Sequence, residues 1–316
     1  GVQATYQRLG RIIDDVGDPG PQCAQLMAQN PGILSQDAGL SPLDSCLANP
    51  ANYNIQGSVL INPGSTNNFS VVNPAGGYYH YTVSPQQFGF PKASRHYYAL
   101  EGFVEHVWDG KWTGKLDYVF SKSYGSTEGP VQSNIGQGGS SGSITTQWDY
   151  GQIMQYANGV QANSRRHVIK AFGSYQIAPE WLASAIVTVA SGTPKSCLGY
   201  YGTDQSNPGL GYGSFYHWCN GKPAPGGSTG YTPWIHQLDL TLAYRPLWAG
   251  KKLAIQAQVH NVLNEQKVTQ FYPYFGQYFP NGDGAGNPPT YSNPSYGRPQ
   301  FTEDPRFVSL GVTYDW

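Results

Sequence analysis

The stretch that decides the fold is the C-terminal one, Pro305-Arg-Phe-Val-Ser-Leu-Gly-Val-Thr-Tyr-Asp-Trp316, in which apolar and polar side chains alternate. An extended chain places every second side chain on the same face, so this period of two is that of a β-strand with one apolar side. The apolar face would carry Val308, Leu310, Val312, Tyr314 and Trp316.

The same alternation recurs upstream and predicts about eight strands in all. They cover Val2–Ile13, Tyr97–Val107, Trp112–Tyr124, Arg166–Ile177, Trp181–Ser191, Leu238–Tyr244, Leu253–Leu263 and Arg306–Trp316. Tight turns join three pairs of them, at Trp108–Lys111, Ala178–Glu180 and Pro246–Gly250. The other connections are long, and cover roughly residues 14–95, 125–164, 193–234 and 265–304.

Composition favours strands and loops over helices. The chain has 40 glycines and 24 prolines, the poorest helix formers, and 24 tyrosines. Only 12% of its 316 residues are charged, although the mean hydropathy is negative, at -0.44. No apolar run reaches the length of a membrane-spanning helix. The net charge of -1 gives no basic field for nucleic acid, so no nucleic-acid partner is expected.

Short turns that alternate with long loops are typical of outer-membrane β-barrels, whose strands turn apolar side chains to lipid and polar ones to the lumen. A soluble β-sandwich would explain the alternation but not the unequal connections. The predicted lipid-facing side includes Leu116, Tyr118 and Phe120. The predicted lumen-facing side carries the charges Glu101, Glu105, Lys115, Asp117, Lys170, Asp239 and Arg245.

The four cysteines form two local pairs in Gly/Pro-rich sequence, Cys23 with Cys46 and Cys197 with Cys219. An even number of cysteines in loops favours two disulfides and an oxidising compartment. The alternative is four free thiols. A zinc site is disfavoured because neither pair has the close spacing of a zinc motif.

Several motifs occur in an order that indicates a family. They are Thr5-Tyr-Gln-Arg-Leu-Gly-Arg-Ile-Ile-Asp-Asp15, Lys122-Ser-Tyr-Gly125, Arg165-Arg-His-Val-Ile-Lys-Ala-Phe-Gly173, Cys219-Asn-Gly-Lys222, Thr232-Pro-Trp234, Leu238-Asp-Leu240 and Asn261-Val-Leu-Asn-Glu-Gln-Lys-Val-Thr269. With them, nearly the whole chain resembles the C-terminal part of the barrel in TonB-dependent outer-membrane receptors, specifically the Oar-like (OmpA-related) branch. The alternating C-terminus also looks like the signal that the barrel-assembly machinery reads, with Trp316 in place of the commoner Phe.

The resemblance implies a 22-stranded transmembrane barrel, of which residues 1–316 would form about the C-terminal third, without a plug domain. It further implies a bacterial outer-membrane location with extracellular loops. The partners implied are outer-membrane lipid, the TonB complex, and an N-terminal barrel and plug portion or another β chain.

The expected function is ligand capture by the loops and energy-coupled uptake through the barrel. The alternatives are a passive porin-like or small eight-stranded barrel, and a structural or adhesive surface protein. No enzyme is expected, because Gly138-Gly-Ser-Ser-Gly142 matches a nucleophile motif only formally, within Gly/Ser-rich sequence.

Aromatic residues in the predicted loops are candidates for ligand contact, since tyrosine and tryptophan give large contact areas at low entropic cost. The candidates are Trp148, Tyr150, Tyr156, Tyr272, Tyr274 and Tyr278, and the alternative for each is packing between loops. No cofactor is expected. Calcium could bind Asp14, Asp15 and Asp18 or the stretch Asn281–Asn287, but a solvated strand end and a flexible loop are the default interpretations.

Overall fold

Eight antiparallel strands form one sheet in the order in which they occur along the chain. The computed structural model describes residues 1–33, 39–53, 55, 58–139, 142–201, 214–278 and 290–316. The strands are β1 (Val2–Leu9), β2 (Arg95–His106), β3 (Trp112–Gly125), β4 (His167–Ala178), β5 (Trp181–Ala190), β6 (Ile235–Tyr244), β7 (Leu253–His260) and β8 (Phe307–Tyr314). This confirms the predicted all-β, antiparallel fold of about eight strands.

The connections place all long segments at one end of the sheet. Tight turns join β2 to β3, β4 to β5 and β6 to β7, the last containing a short 3₁₀ helix at Leu247–Ala249. The long segments 10–94, 126–166, 191–234 and 261–306 therefore begin and finish at the opposite end of the strands. We call that end of the sheet the loop end and the other the turn end. One piece of the second segment, Gly159–Val160, pairs with the last residues of β3 and extends the sheet there.

Two strands end three or four residues earlier than predicted, and in both cases the backbone turns out of the sheet. β1 ends at Leu9 and not at Ile13, after which Asp14–Val16 pairs with Val59–Ile61 in a separate small sheet. β7 ends at His260, because Asn261 has φ +48° and its N–H donates to the Asp239 carboxylate at 2.8 Å. The alternation of apolar and polar residues does not by itself predict where such local turns end a strand.

One face of the sheet is apolar across all eight strands and is exposed. Strand register aligns β8 with β7 residue by residue, so that Val308, Leu310, Val312 and Tyr314 continue the row of Val259, Ala257, Ile255 and Leu253. Leu310 is 80% exposed. On the same face, aromatic side chains cluster at the turn end: Trp112, Tyr175, Trp181 and Tyr244, with Trp108 and Trp248 in the adjoining turns. Charged exceptions, Arg8 and Lys122, lie near the loop end.

The long segments, which the sequence predicts to be loops, fold into a structured cap. It contains helices α1 (Pro19–Gln29) and α2 (Pro42–Ala48) and a 3₁₀ helix (Pro50–Tyr53). Asp18 and Ser41 cap the two α-helices with their side chains, and proline stands in the first turn of each. Both are recognisable start signals. No helix in the described ranges is both long and apolar enough to cross a bilayer.

Short pairs of antiparallel strands complete the cap. Their paired strands are Asn67–Val72 with Tyr78–Val83, Val131–Gln132 with Gln137–Gly138, Trp218–Cys219 with Lys222–Pro223, Val268–Phe271 with Pro299–Thr302, and Gly276–Tyr278 with Thr290–Ser292. The cap has its own apolar core, in which the first long segment packs against the second. Members of this core include Val16, Leu26, Val83, Phe90, Trp148 and Met154.

Candidate functional site

The face opposite the apolar one gathers the charges predicted to face a lumen. Cross-strand partners lie on the same face of a sheet, and register pairs Glu105 with Lys115 and Asp117 with Lys170. Glu101 and Asp239 fall on this face by the same register, and Arg245 directly follows the last residue of β6. The face is not uniformly polar, because Phe172 and Ile186 also lie on it.

An open cavity of about 570 Å³ occupies this polar face beneath the cap. Inside it the Lys115 ammonium and the Asp117 carboxylate form an ion pair with an N···O distance of 3.0 Å. Serine hydroxyls, the Glu101 carboxylate and Lys170 also line its sheet side, next to the apolar side chains of Val119 and Val168. The arrangement offers hydrogen-bonding groups of both signs to a solute that enters between sheet and cap.

Two arginines on the rim of this cavity hold cap segments in place. The Arg95 guanidinium donates to the backbone carbonyl of Glu128 at 3.0 Å, and that of Arg165 to the carbonyl of Ser191 at 2.6 Å. Burial lowers the pKa of Arg165. Because both guanidiniums already donate to carbonyls, part of their hydrogen-bonding capacity is committed to holding loops in place.

The buried Glu128 carboxylate organises the same rim. It accepts the backbone N–H of Ser133 at 2.6 Å and that of Asn163 at 3.0 Å, and so joins two stretches of the second long segment. Bonds from amides to a carboxylate are among the strong hydrogen bonds of proteins. Nothing in the periodicity of the sequence points to Glu128, which lies outside the predicted strands.

Asp239 lies at the loop end of the polar face in a second polar cluster. Besides the Asn261 amide, it faces His260, whose Nδ1 is 3.5 Å from the carboxylate, while the His260 ring stacks on Phe307. The Asn261 side chain in turn donates to the carbonyls of Glu265 and Asp304. This predicted lumen residue therefore anchors the start of the fourth long segment.

Trp148, a predicted ligand-contact residue, is enclosed within the cap. Its side chain is 0% exposed and packs edge-on against Phe90, with 5.3 Å between ring centroids. Packing between loops, the alternative, describes this residue. An aromatic residue in a loop sequence does not reveal whether another segment covers it.

The other predicted contact residues lie in two parts of the cap. Tyr150 packs against a small core that contains Ile153, Tyr216 and Trp218, and burial raises its pKa. Tyr156 is 42% exposed. Tyr272 and Tyr274 contact each other edge-on at 5.3 Å in the fourth segment, and burial raises the pKa of Tyr274. The side chain of Tyr278 lies outside the described part of the chain.

Both cysteine pairs are disulfide-bonded within the cap. Cys23 and Cys46 join α1 to α2, with S–S 2.06 Å, and Cys197 and Cys219 close the third segment, with S–S 1.98 Å. Each bond closes a loop of similar length, since the sequence separations are 23 and 22. The disulfides thus stabilise the cap and not the sheet.

The default interpretation of the acidic cluster as a solvated strand end is wrong. Asp14 and Asp15 are buried, and as adjacent residues of one strand they point to opposite faces of it. Across the described ranges, no group of three or more His, Cys, Asp or Glu side chains is arranged to hold a metal ion. The stretch Asn281–Asn287 lies outside the described residues, as do Ser140 and Ser141 of the formal nucleophile motif.

Burial of Asp14 makes the cap sensitive to pH. Desolvation, with the nearby carboxylates of Asp15 and Asp149, raises the pKa of Asp14 from 3.8 to about 8, against hydrogen bonds from the Asp15 N–H and Thr145. The folded state therefore binds more protons than the unfolded state between these two values. The contribution of Asp14 to stability is therefore fully present at low pH and is lost as pH rises through this window, by up to about tenfold in the folding equilibrium per unit.

We expect Asp14→Asn to flatten this dependence and to raise the melting temperature of the cap most at pH 8. Thermal melting of the purified protein at half-unit steps from pH 4.5 to 8.5 measures it. Asp109→Asn is the matched control, because two backbone N–H donors lower the pKa of the exposed Asp109 and keep it ionised throughout the window. Equal slopes for Asp14→Asn and the unaltered protein would contradict the assignment.

No protein-family model matches the sequence, and no curated protein matches it. Among solved structures, the siderophore receptor PiuA from Acinetobacter baumannii is 14% identical over 71% of this chain and 22% of its own, with a TM-score of 0.38. The outer membrane transporter YddB from Escherichia coli is 12% identical over 81% and 29%, with a TM-score of 0.40. The ferripyoverdine receptor of the outer membrane of Pseudomonas aeruginosa is 11% identical over 78% and 21%, with a TM-score of 0.37. The chain spans less than a third of the length of each.

Proposed function

We propose that this chain forms part of the wall and the extracellular cap of an outer-membrane transporter. The observation that carries the proposal is the exposed apolar face, continuous over eight strands and edged with aromatic side chains at the turn end. A sheet that leaves such a face uncovered fits a lipid environment, where aromatic residues concentrate at the interface with water.

The unpaired edges of the sheet support a larger barrel. In the described part of the chain, β1 pairs only with β2 and β8 only with β7, so each has one side without a partner strand. Each backbone N–H or C=O group without a hydrogen-bond partner in hydrocarbon costs about 2–7 kcal/mol. We infer that other β segments pair with these edges, as the resemblance to 22-stranded receptors implies.

The cap and the polar cavity support transport. Residues 163–165 of the cap line the 570 Å³ cavity together with charged and polar side chains of β2, β3 and β4. The loops would capture a solute outside the cell and release it into this space. Energy coupling through the TonB complex is the part of the proposal that the sequence resemblance alone supports.

Depletion of solutes from the growth medium tests the function without knowledge of the substrate. Cells with and without the protein are grown with and without a protonophore, and the spent media are compared by mass spectrometry. We expect at least one solute to be depleted only by cells that have both the protein and a proton gradient. Depletion that persists with the protonophore would favour a passive pore, and equal media would reject transport.

Labelling of introduced cysteines on whole cells tests the orientation. Ser70→Cys lies in the cap hairpin Asn67–Val72, and Asp109→Cys lies in the turn between β2 and β3. With an impermeant maleimide, we expect Ser70→Cys to react on intact cells and Asp109→Cys to react only after the outer membrane is opened. The opposite pattern would place the cap in the periplasm.

A further inference from the structure

A second open cavity, of about 430 Å³, lies on the cap, away from the polar face of the sheet. Its size falls within the roughly 300–1,000 Å³ of small-molecule sites. Three of the long segments line it, and the backbones of the first two meet at Gly151, where a Cβ atom would lie 2.4 Å from the carbonyl oxygen of Phe88. The lining residues that the structure describes carry no charge: Phe88, Gly89, Phe90, Pro91, Gly151, Gln152, Met154, Gln155, Tyr156 and Tyr201.

The Trp218 indole contacts both tyrosines of this cavity. The Tyr156 ring meets the Trp218 indole edge-on at 5.2 Å, and the Tyr201 ring meets the same indole at 6.2 Å. Trp218 is buried and precedes Cys219, which is held by the disulfide to Cys197. Both rings therefore rest against a buried indole, and this contact restricts their motion before any ligand arrives, which lowers the entropic cost of binding.

The Tyr156 backbone has φ +63°, a conformation that a bulky residue rarely adopts. Residues 150–157 form successive tight turns, with hydrogen bonds such as Met154 N–H to the Gly151 carbonyl at 3.2 Å, and they hold this conformation. Strained residues of this kind concentrate at binding sites. The strain presents the Tyr156 side chain at the surface while Met154, two residues earlier, is buried.

We propose that this cavity binds a neutral saccharide unit. Aromatic rings stack on the C–H face of a sugar, and the side-chain amides of Gln152 and Gln155 supply paired donors and acceptors for adjacent hydroxyls. Neither amide makes a hydrogen bond within the described ranges, so both are available. An ionic ligand would find no opposite charge among these lining residues. This inference rests on the proposed function, in which the cap captures the solute, and names the substrate class.

Binding of the purified full chain to a glycan array that holds neutral and acidic oligosaccharides, with a proline-rich peptide as a further probe, tests the proposal. We expect neutral oligosaccharides to bind, and titration calorimetry with the best of them gives the affinity for variants. Tyr156→Gly, which adopts φ +63° without strain, should weaken binding about tenfold or more by removing a stacking ring. Tyr156→Phe should retain most of the affinity, and Gln155→Ala should lose several-fold.

Tyr78→Ala is the matched control, since this tyrosine is 64% exposed in another cap hairpin and should leave the affinity unchanged. Absence of binding to every neutral glycan, preference for acidic glycans or the peptide, or an affinity that Tyr156→Gly does not change would each overturn the proposal. These measurements use the protein in detergent and need no proton gradient, so a negative result here is distinct from a failure of transport in cells.

Discussion

Replacing Leu240 with arginine should prevent stable assembly of the protein in a membrane. Leu240 lies on the apolar face of β6, with Ala185 and Val259 as its cross-strand neighbours on that face. An arginine that faces lipid near the bilayer midplane costs about 2–4 kcal/mol, a large fraction of the stability of a protein. The measurement is the yield in the outer-membrane fraction, together with the heat-modifiable electrophoretic mobility of folded barrels.

The adjacent residue supplies the control. Thr241 lies on the opposite face, paired with Ser184 and Gln258, so arginine there should point into the aqueous interior. We expect Thr241→Arg to assemble at a yield close to that of the unaltered protein. If the two arginine variants assembled equally well, or if only Thr241→Arg failed, the assignment of lipid to the apolar face would be wrong.

Removing the disulfide of the third segment should loosen the cap while the sheet stays intact. With a separation of 22 residues, loss of Cys197–Cys219 through paired serine substitutions is expected to cost about 3 kcal/mol from loop closure. The cap should then be cleaved by protease at concentrations that leave the unaltered protein uncut. Pulse proteolysis in a denaturant series measures the free energy of opening.

Paired substitution of Cys23 and Cys46 is the comparison, because that bond closes a loop of nearly the same length. We expect this variant to lose a similar free energy of opening in the first long segment, while the third long segment keeps its protease resistance. Cleavage that spread into the tight turns in either variant would show that the cap and the sheet unfold together, although the cap has its own apolar core.

The sheet could be predicted from the sequence because each strand carries its own evidence. Alternation with a period of two is local, and six of the seven charges predicted for one face fall there by register, namely Glu101, Glu105, Lys115, Asp117, Lys170 and Asp239. The alternation of side chains does not predict the residue at which a strand leaves the sheet. The turn at Asn261 depends on a bond to Asp239 in a neighbouring strand, and the separation from Gly10 onward depends on pairing with Val59–Ile61.

The cap could not be predicted in the same way, since its contacts join distant segments. The side-chain caps at Asp18 and Ser41, each followed by proline, were readable signals for two helices. The burial of individual aromatic residues could not be predicted from the sequence. Trp148 and Tyr156 lie eight positions apart in similar aromatic sequence, yet one is enclosed and the other exposed, because only Trp148 is covered by the first long segment.

The sequential order of the strands has a consequence for how the sheet forms. Three hairpins, β2–β3, β4–β5 and β6–β7, close over turns of a few residues and can form within about 1–10 μs. Pairing between hairpins requires closure of chain segments of 40 residues or more. The entropic cost of closing a flexible loop grows only with the logarithm of its length, by about 0.6 kcal/mol per doubling. Folding would therefore be rate-limited by docking of preformed hairpins. Lengthening a long segment should change that rate little, whereas lengthening a tight turn should delay the first step.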